Sequence, residues 1–163
     1  EFINLCKINV SNKNNVKILK LNNDYTNLSF LKNINFSIII ANSVVQYYSS
    51  QEEIMNLVKS VKKIAVKNAY FLIADIHVIS DKKKSYSKLI YNSVINRYFI
   101  SLMKMGLKIF MNKEFKDMIK YQPLLIVNLD KFIRDLSILV NKVTIINENL
   151  TINPDRKHLL IQF

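Results

Sequence analysis

FSIIIANSVVQYY, residues 36–48, is the stretch that decides the fold class of this chain. Its first six residues form a short β-branched run, which is typical of a strand that is buried on both faces in a parallel sheet. Ser49 and Ser50 each precede a glutamate by three residues, so either serine can form a capping box. Apolar residues then recur at helical spacing from Ile54 to Ala65. The stretch therefore predicts a strand followed by an amphipathic helix.

Further apolar runs extend this pattern along the chain. The run at 69–74 is followed by Asp75 and predicts a second strand after the helix. A right-handed crossover from the first strand through the helix to the second would make the two strands parallel. An alternating run at 16–21 predicts an earlier strand, and runs at 143–146 and 159–161 predict a closing hairpin. We expect an α/β sheet with an antiparallel edge, in one domain that spans residues 1–163.

The remaining segments predict helices. An apolar stripe from Leu89 to Leu102 indicates one long helix, and Asn112 can cap a short helix after it. Asn128 can cap another helix, whose apolar residues Phe132 and Leu136 recur at helical spacing.

Composition and charge restrict the classes of partner. Half of the residues are hydrophobic, but no apolar run reaches the roughly 18 residues that span a bilayer, so we expect no membrane partner. The net charge is +12, yet only three basic residues are arginine, and the side chains that read nucleic acid are mostly arginine forks. The composition therefore argues against nucleic acid as a partner. The single cysteine, Cys6, excludes a disulfide framework and favours a cytoplasmic setting.

Several kinds of catalytic site are excluded by the residues that the chain lacks. One glycine cannot build a glycine-rich nucleotide loop, and the sequence contains no Gly-x-Ser-x-Gly elbow. His77 and His158 are the only histidines, and no cluster of histidine and cysteine predicts a zinc site. We therefore expect no bound metal.

Polar residues follow three predicted strands, at residues 22–24, 42–48 and 75–77. Because ligands bind beyond the carboxyl ends of the strands in open α/β sheets, these three places are the candidate site. The first place also has a structural interpretation as a turn at Asp24, and the second as a cap at Asn42 with packing by the tyrosines at 47 and 48. Asp75 and His77 could form an acid–base pair, but adjacent residues at a strand end commonly point in different directions.

Residues 38–48 carry a resemblance to a known family. They resemble the fourth-strand motif of class I S-adenosylmethionine-dependent methyltransferases, and are closest to the methylation domains of nonribosomal peptide synthetases, with Tyr48 in place of a phenylalanine. Residues 21–28 are similar to the adenine-side loop of that family. Residues 71–77 are similar to its fifth strand, and residues 156–163 fit its closing strand. The similarity covers about residues 16–163.

The resemblance implies S-adenosylmethionine as cofactor and a set of site residues. Asn23, Asp24 and Asn42 would bind the cofactor, and Gln46 and Tyr47 would bind the substrate. The resemblance also implies catalytic roles for Tyr47, and for Asp75 and His77, which could orient or deprotonate a substrate amine.

The resemblance to this family also implies an activity, which is methyl transfer to a small molecule or a carrier-bound peptide in nonribosomal peptide synthesis or a related pathway. The family's first two strands and its glycine-rich loop have no counterpart here, so the chain is interpreted as the C-terminal part of a methyltransferase sheet. Its partner would then be the missing N-terminal half of the domain, and the chain alone would be an inactive fragment. Two alternatives remain open: a non-catalytic methyltransferase-like binding or scaffolding module, and, with less support, a basic nucleic-acid-binding domain.

Overall fold

A mixed four-stranded sheet, β1-β2-β4-β3, forms the centre of the protein in the computed structural model. The strands are β1 (Phe36–Asn42), β2 (Ala65–Ile76), β3 (Lys142–Ile146) and β4 (Lys157–Gln162). The structure describes Val16, Leu19 and the ranges 24–79, 82–121, 123–146, 148 and 156–163. The α/β class predicted from the sequence is confirmed.

The parallel pair predicted around the first helix is present. β1 pairs with β2 in register from Ile38 opposite Tyr70 to Asn42 opposite Ala74. Before this segment, β2 contains a bulge in which Asn68 adopts a left-handed backbone with φ of 64°. Asparagine tolerates that conformation better than most residues, so it serves here where glycine is the usual choice.

The predicted hairpin also forms, and its second strand lies inside the sheet. β4 pairs antiparallel with β2 on one side and with β3 on the other. β3 therefore forms one edge of the described sheet and β1 the other, and β3 runs parallel to β1 and β2 although it is bonded to neither. The N-terminus of β4 consequently lies beside the carboxyl end of β2.

The helices are α1 (Gln51–Ile64), α2 (Lys82–Ile95), α3 (Phe99–Met111), α4 (Lys113–Tyr121) and α5 (Leu129–Ser137). Two single turns of 3-10 helix, at Ser29–Leu31 and Val45–Tyr47, complete the described elements.

One face of the sheet carries the hydrophobic core. Phe71 lies opposite Ile161, and Ile73 opposite Leu159, so these four side chains share a face, and all are buried. Helices α1 and α5 supply the other half of the core through the following fully buried side chains: Ile54, Val58, Phe132 and Leu136. The inward face predicted for α5 is confirmed, and Asn128 caps that helix by accepting the Lys131 N–H at 3.1 Å.

The opposite face of the sheet is open near β1. Ile38 and Ile40 are 66% and 62% exposed, and their neighbour Tyr70 is 43% exposed. The prediction that β1 is buried on both faces is therefore wrong for the described part of the chain. The inward residues of β1, Ile39 and Ala41, pack against the hydrophobic core, whereas no described element covers Ile38 and Ile40.

The long helix predicted from the stripe at 89–102 is divided in two. The chain leaves the helical conformation at Arg97, whose φ is 59°, and α3 begins two residues later. Many apolar residues of the stripe are exposed, among them Ile90, Val94 and Ile95. The stripe predicted the helical conformation but not the burial of its apolar face.

Several predicted features fall outside the described residues. Most of the strand predicted at 16–21 and the helix end predicted at 1–7 belong to this part of the chain. In the ranges that the structure does describe, no helix has the length and apolar character needed to cross a membrane.

The two capping boxes that the sequence allows are distinguished at the start of α1. Ser50 is the cap, because its hydroxyl accepts the Glu53 N–H at 3.3 Å. Ser49 instead donates its backbone N–H to the Glu53 carboxylate at 2.9 Å, a contact that does not involve its hydroxyl.

We therefore expect Ser50→Ala to lower the free energy of unfolding by about 1 kcal/mol, because a first-turn N–H loses its acceptor. Ser49→Ala is the matched control and should change it far less. Urea denaturation followed by circular dichroism measures both variants. Equal losses would show that Ser50 is not the functional cap.

Candidate functional site

The carboxyl ends of β1 and β2 meet the start of β4 at one edge of the sheet. This follows from the strand directions, since β1 and β2 are parallel and β4 runs back along β2. Three polar residues are thereby brought together. Ser43 directly follows β1, Asp75 lies near the end of β2, and Arg156 directly precedes β4. The location agrees with the rule that ligands bind at the carboxyl edge of an open α/β sheet.

Ser43 and Asp75 are joined by backbone and side-chain hydrogen bonds. The Ser43 N–H donates to the Ala74 carbonyl at 3.2 Å, which extends the pairing of β1 and β2 by one residue. The Ser43 hydroxyl then donates to the Asp75 carboxylate at 2.8 Å. Both residues have positive φ, 55° and 65°. A non-glycine residue in this region costs on the order of 1–3 kcal/mol, and such strain is concentrated at functional sites.

Arg156 lies against this pair and is held by two acceptors. Its Nη1 donates to Gln46 Oε1 at 2.7 Å and to the Asp75 carbonyl at 3.3 Å, and it lies 3.7 Å from Asp75 Oδ1. Burial lowers the pKa of Arg156, against the opposing effect of the nearby Asp75. A partly desolvated guanidinium held by a buried amide has little freedom, so the arrangement is a rigid polar cluster.

His158 contributes a buried acceptor two residues farther along β4. The Asp75 N–H donates to His158 Nδ1 at 3.1 Å, so the neutral ring is required for this bond. Burial lowers the pKa of His158 below its ordinary value of 6.5, Asp75 opposes the shift, and Lys157 adds to it. His158 is therefore a neutral structural histidine that fixes the backbone of Asp75.

His77 lies just beyond β2 and is held through its backbone. Its carbonyl accepts the Val127 N–H at 2.8 Å, but the buried ring atom Nε2 has no hydrogen-bond partner. A buried polar atom without a partner is costly, so this nitrogen is an unsatisfied group beside the edge of the sheet. The predicted acid–base pair of Asp75 and His77 is not formed, because the Asp75 carboxylate contacts Ser43 and Arg156 instead.

The residues at 42–48 have separate roles. Asn42 is exposed at the end of β1, where its Oδ1 lies 3.4 Å from the Ser43 hydroxyl. Gln46 is buried and engaged with Arg156, whereas Tyr47 is 47% exposed. Tyr48 is buried, and its burial raises the pKa of its hydroxyl, so it is a packing residue.

Asp24 occupies an exposed turn. Its carboxylate accepts the Thr26 N–H at 2.9 Å and the Thr26 hydroxyl at 2.7 Å, and chiefly this hydroxyl lowers the pKa of Asp24. Asn23 lies outside the described residues. The turn interpretation of this loop therefore accounts for the contacts of Asp24.

An apolar groove of about 380 Å³ runs beside the loop and along β1. Near the strand ends, the groove is lined by five side chains, all apolar or aromatic: Tyr25, Leu28, Ala41, Val44 and Tyr48. The groove is not the single cleft that is predicted for Asn23, Asp24, Asn42 and Tyr47. It is lined instead by residues next to them in the sequence, such as Tyr25, Ala41 and Tyr48.

Sequence reasoning missed Arg156 and His158 as members of the cluster. They are two residues apart at the start of a strand, so they lie on the same side, and this spacing was the available signal. Their proximity to Asp75 depends on the insertion of β4 beside β2, which the sequence pattern did not predict. Within the described ranges, no group of three histidine, cysteine or acidic side chains is placed to hold a metal ion.

Comparison of the chain with protein-family models, with curated proteins and with solved structures finds no match.

The buried neutral His158 predicts a dependence of stability on pH. The unfolded chain binds a proton on this histidine at a higher pH than the folded chain does, so the folded state is destabilised as pH falls below 6.5. We expect the free energy of unfolding to decrease between about pH 7.5 and about pH 5.5, where few carboxylates titrate.

His158→Gln retains an acceptor for the Asp75 N–H but does not titrate, so it should flatten this dependence. Urea denaturation of both proteins at the two pH values measures the free energy of unfolding. Any difference between the two proteins at neutral pH reports altered packing by glutamine and is subtracted. Identical slopes for the two proteins would contradict the assignment of the effect to His158.

Proposed function

We propose that this chain is the C-terminal part of a class I S-adenosylmethionine-dependent methyltransferase sheet. The observation that carries the proposal is the coincidence of residues 38–48, which resemble the family's fourth-strand motif, with the strained polar edge of the sheet. The complete enzyme would transfer a methyl group to a small molecule or a carrier-bound peptide in the cytoplasm, with nonribosomal peptide synthesis as the nearest context.

The arrangement of the strands supports the proposal. A parallel β1–β2 pair continues into a closing antiparallel hairpin, in the chain order that the resemblance implies. Ile38 and Ile40 are exposed on the open face of β1, where a further layer of a methyltransferase domain would pack in this proposal. Apolar side chains on the face of a sheet are normally covered by a second layer.

The groove beside Asp24 supports an adenine-side role for this region. Tyr25, which directly follows Asp24, lines the groove together with Val44 and Tyr48. The volume of about 380 Å³ is in the range of small-molecule sites, and an aromatic ring with apolar walls suits a flat base. In this proposal Asp24 and Asn42 supply polar contacts at the rim, and Asn23 is a third candidate from the same loop.

The polar cluster would hold the methyl acceptor. Tyr47, which is exposed at the edge, would contact the substrate, while Gln46 would act through Arg156 because its amide is already engaged. His77 would act as the base, and because its unpartnered Nε2 is buried, this role requires the edge to open before the ring can accept a proton from a substrate amine. Asp75 would position the cluster, because Ser43 and Arg156 occupy its carboxylate.

S-adenosylmethionine supplies an activated methyl group on a sulfonium, and the reaction then depends chiefly on alignment in a pocket with little water. None of the cofactor-binding residues assigned from the sequence would bind the ribose hydroxyls or the methionine end of S-adenosylmethionine. Losing such charge-assisted bonds, each worth about 1.5–3 kcal/mol, weakens binding by at least tenfold.

The proposal predicts weak but localised cofactor binding by the 163-residue chain. Titration with S-adenosylhomocysteine, followed by amide chemical shifts, should give a dissociation constant of hundreds of micromolar or weaker, on the order expected for a partial site. The shift changes should concentrate at residues 24–28 and 41–48. Val44→Asp, which places a charge in the groove wall, should abolish them.

Val94→Asp, at an exposed position that does not line the groove, is the matched control and should leave the shift changes intact. Shift changes confined to other parts of the chain would contradict the proposal. A dissociation constant in the low micromolar range would show instead that this chain carries a complete cofactor site, and no change at millimolar ligand would favour a non-catalytic module.

A further inference from the structure

The positive charge of the chain is concentrated in residues 82–121, which contain α2, α3 and α4 and are called here the basic helical segment. This quarter of the chain has ten basic and two acidic residues, so it carries +8 of the net charge of +12. A uniform composition would place about a quarter of the charge there. The segment is therefore locally basic, beyond the general abundance of lysine in the chain.

The same segment exposes large apolar side chains. None of the side chains of α3 is buried, and Ile100, Phe110 and Met111 are 70%, 70% and 81% exposed. Tyr91 in α2 and Tyr121 in α4 are exposed as well. Single exposed apolar residues are ordinary, but a contiguous group on neighbouring helices indicates an interaction surface.

Cationic and apolar groups alternate on this surface. Lys104 and Lys108 are exposed one turn apart on α3, among apolar residues. Lys116 Nζ lies 4.0 Å from the centroid of the Phe110 ring, so an ammonium group and an exposed aromatic ring are in direct contact. Lysine can lay its methylene stem along an apolar surface while its charge reaches outward.

The positive charge of the basic helical segment favours an anionic partner, and its residue types indicate which kind of anionic partner. Nine of the ten basic residues are lysines, which act as point charges, whereas nucleic-acid sites favour the bidentate arginine fork. Protein interfaces are depleted of lysine at their centres. Lysines mixed with phenylalanine, leucine, isoleucine and methionine on helices match the surface of an anionic bilayer, which offers diffuse negative charge above an apolar layer.

We propose that the basic helical segment binds the surface of an anionic lipid membrane, with α3 lying in the interfacial region. The lysines contact the headgroups, and residues such as Ile100, Phe110 and Met111 enter the acyl boundary. This mode of binding needs no spanning helix. It departs from the expectation of no membrane partner, which rested on the lack of such a helix in the sequence.

Co-flotation of the full 163-residue chain with lipid vesicles tests the proposal. The chain should bind vesicles of phosphatidylcholine with about one third phosphatidylserine, and binding should weaken as salt is raised. Vesicles of phosphatidylcholine alone should bind it at least tenfold more weakly, since several charges contribute to the attraction.

Two sets of variants separate this surface from net charge. Lys104→Gln with Lys108→Gln should reduce the partition coefficient roughly thirtyfold, and Phe110→Ser should reduce it roughly tenfold. Lys59→Gln with Lys63→Gln on α1 is the matched control, because these lysines are also exposed and one turn apart. The control should change binding by less than about threefold, a fraction of the effect expected at the surface itself. Circular dichroism verifies that each variant is folded.

Three results would overturn the proposal. Equal losses in the two double-lysine variants would mean that only the total charge matters. Unchanged vesicle binding by Phe110→Ser would exclude insertion of the apolar residues. Salt-sensitive binding to polyuridylate that is tighter than binding to the anionic vesicles would identify a nucleic-acid surface instead.

Discussion

The parallel pairing of β1 with β2, carried one residue beyond the strand by the Ser43 N–H and the Ala74 carbonyl, is the constraint on which the rest of the structure depends. It aligns the carboxyl ends of both strands, so Ser43, which directly follows β1, lies within hydrogen-bond distance of Asp75, near the end of β2. Both residues have a left-handed backbone, and β2 continues past Asp75 to Ile76, which is still paired with β4. Helix α1 begins a few residues later and covers the face that the pairing creates.

A partly buried polar cluster at this edge is costly to assemble, so its members satisfy one another. Arg156 would be destabilising if it were desolvated alone, but Gln46 and Asp75 supply acceptors, and His158 accepts the backbone N–H of Asp75. His77 Nε2, just beyond β2, is buried without a hydrogen-bond partner, so it is not satisfied in this way.

The near-absence of glycine shapes both the fold and its recognition. Left-handed backbone is found at Ser43, Asn68, Asp75 and Arg97, and none of these residues is glycine. Turn positions that glycine would normally mark are therefore less visible in the sequence. This is why the break at Arg97 and the bulge at Asn68 could not be predicted, although the helices and strands beside them could. Local apolar periodicity is still readable in a chain that uses other residues at left-handed positions, but turns and helix ends that glycine would mark are not.

The sequence by itself determined the α/β class, the parallel pair, the hairpin and the helix cap at Asn128, because apolar periodicity and capping chemistry are local. It also predicted that polar residues follow β1 and β2 at one edge of the sheet, where Ser43 and Asp75 are in contact. Only the tertiary structure decided that β4 lies inside the sheet, and with it that Arg156 and His158 join Asp75. It also decided which apolar residues are covered, as the exposure of Ile38 and of α3 shows. Burial and long-range side-chain contacts depend on which elements pack together, and a local pattern carries no information about that choice.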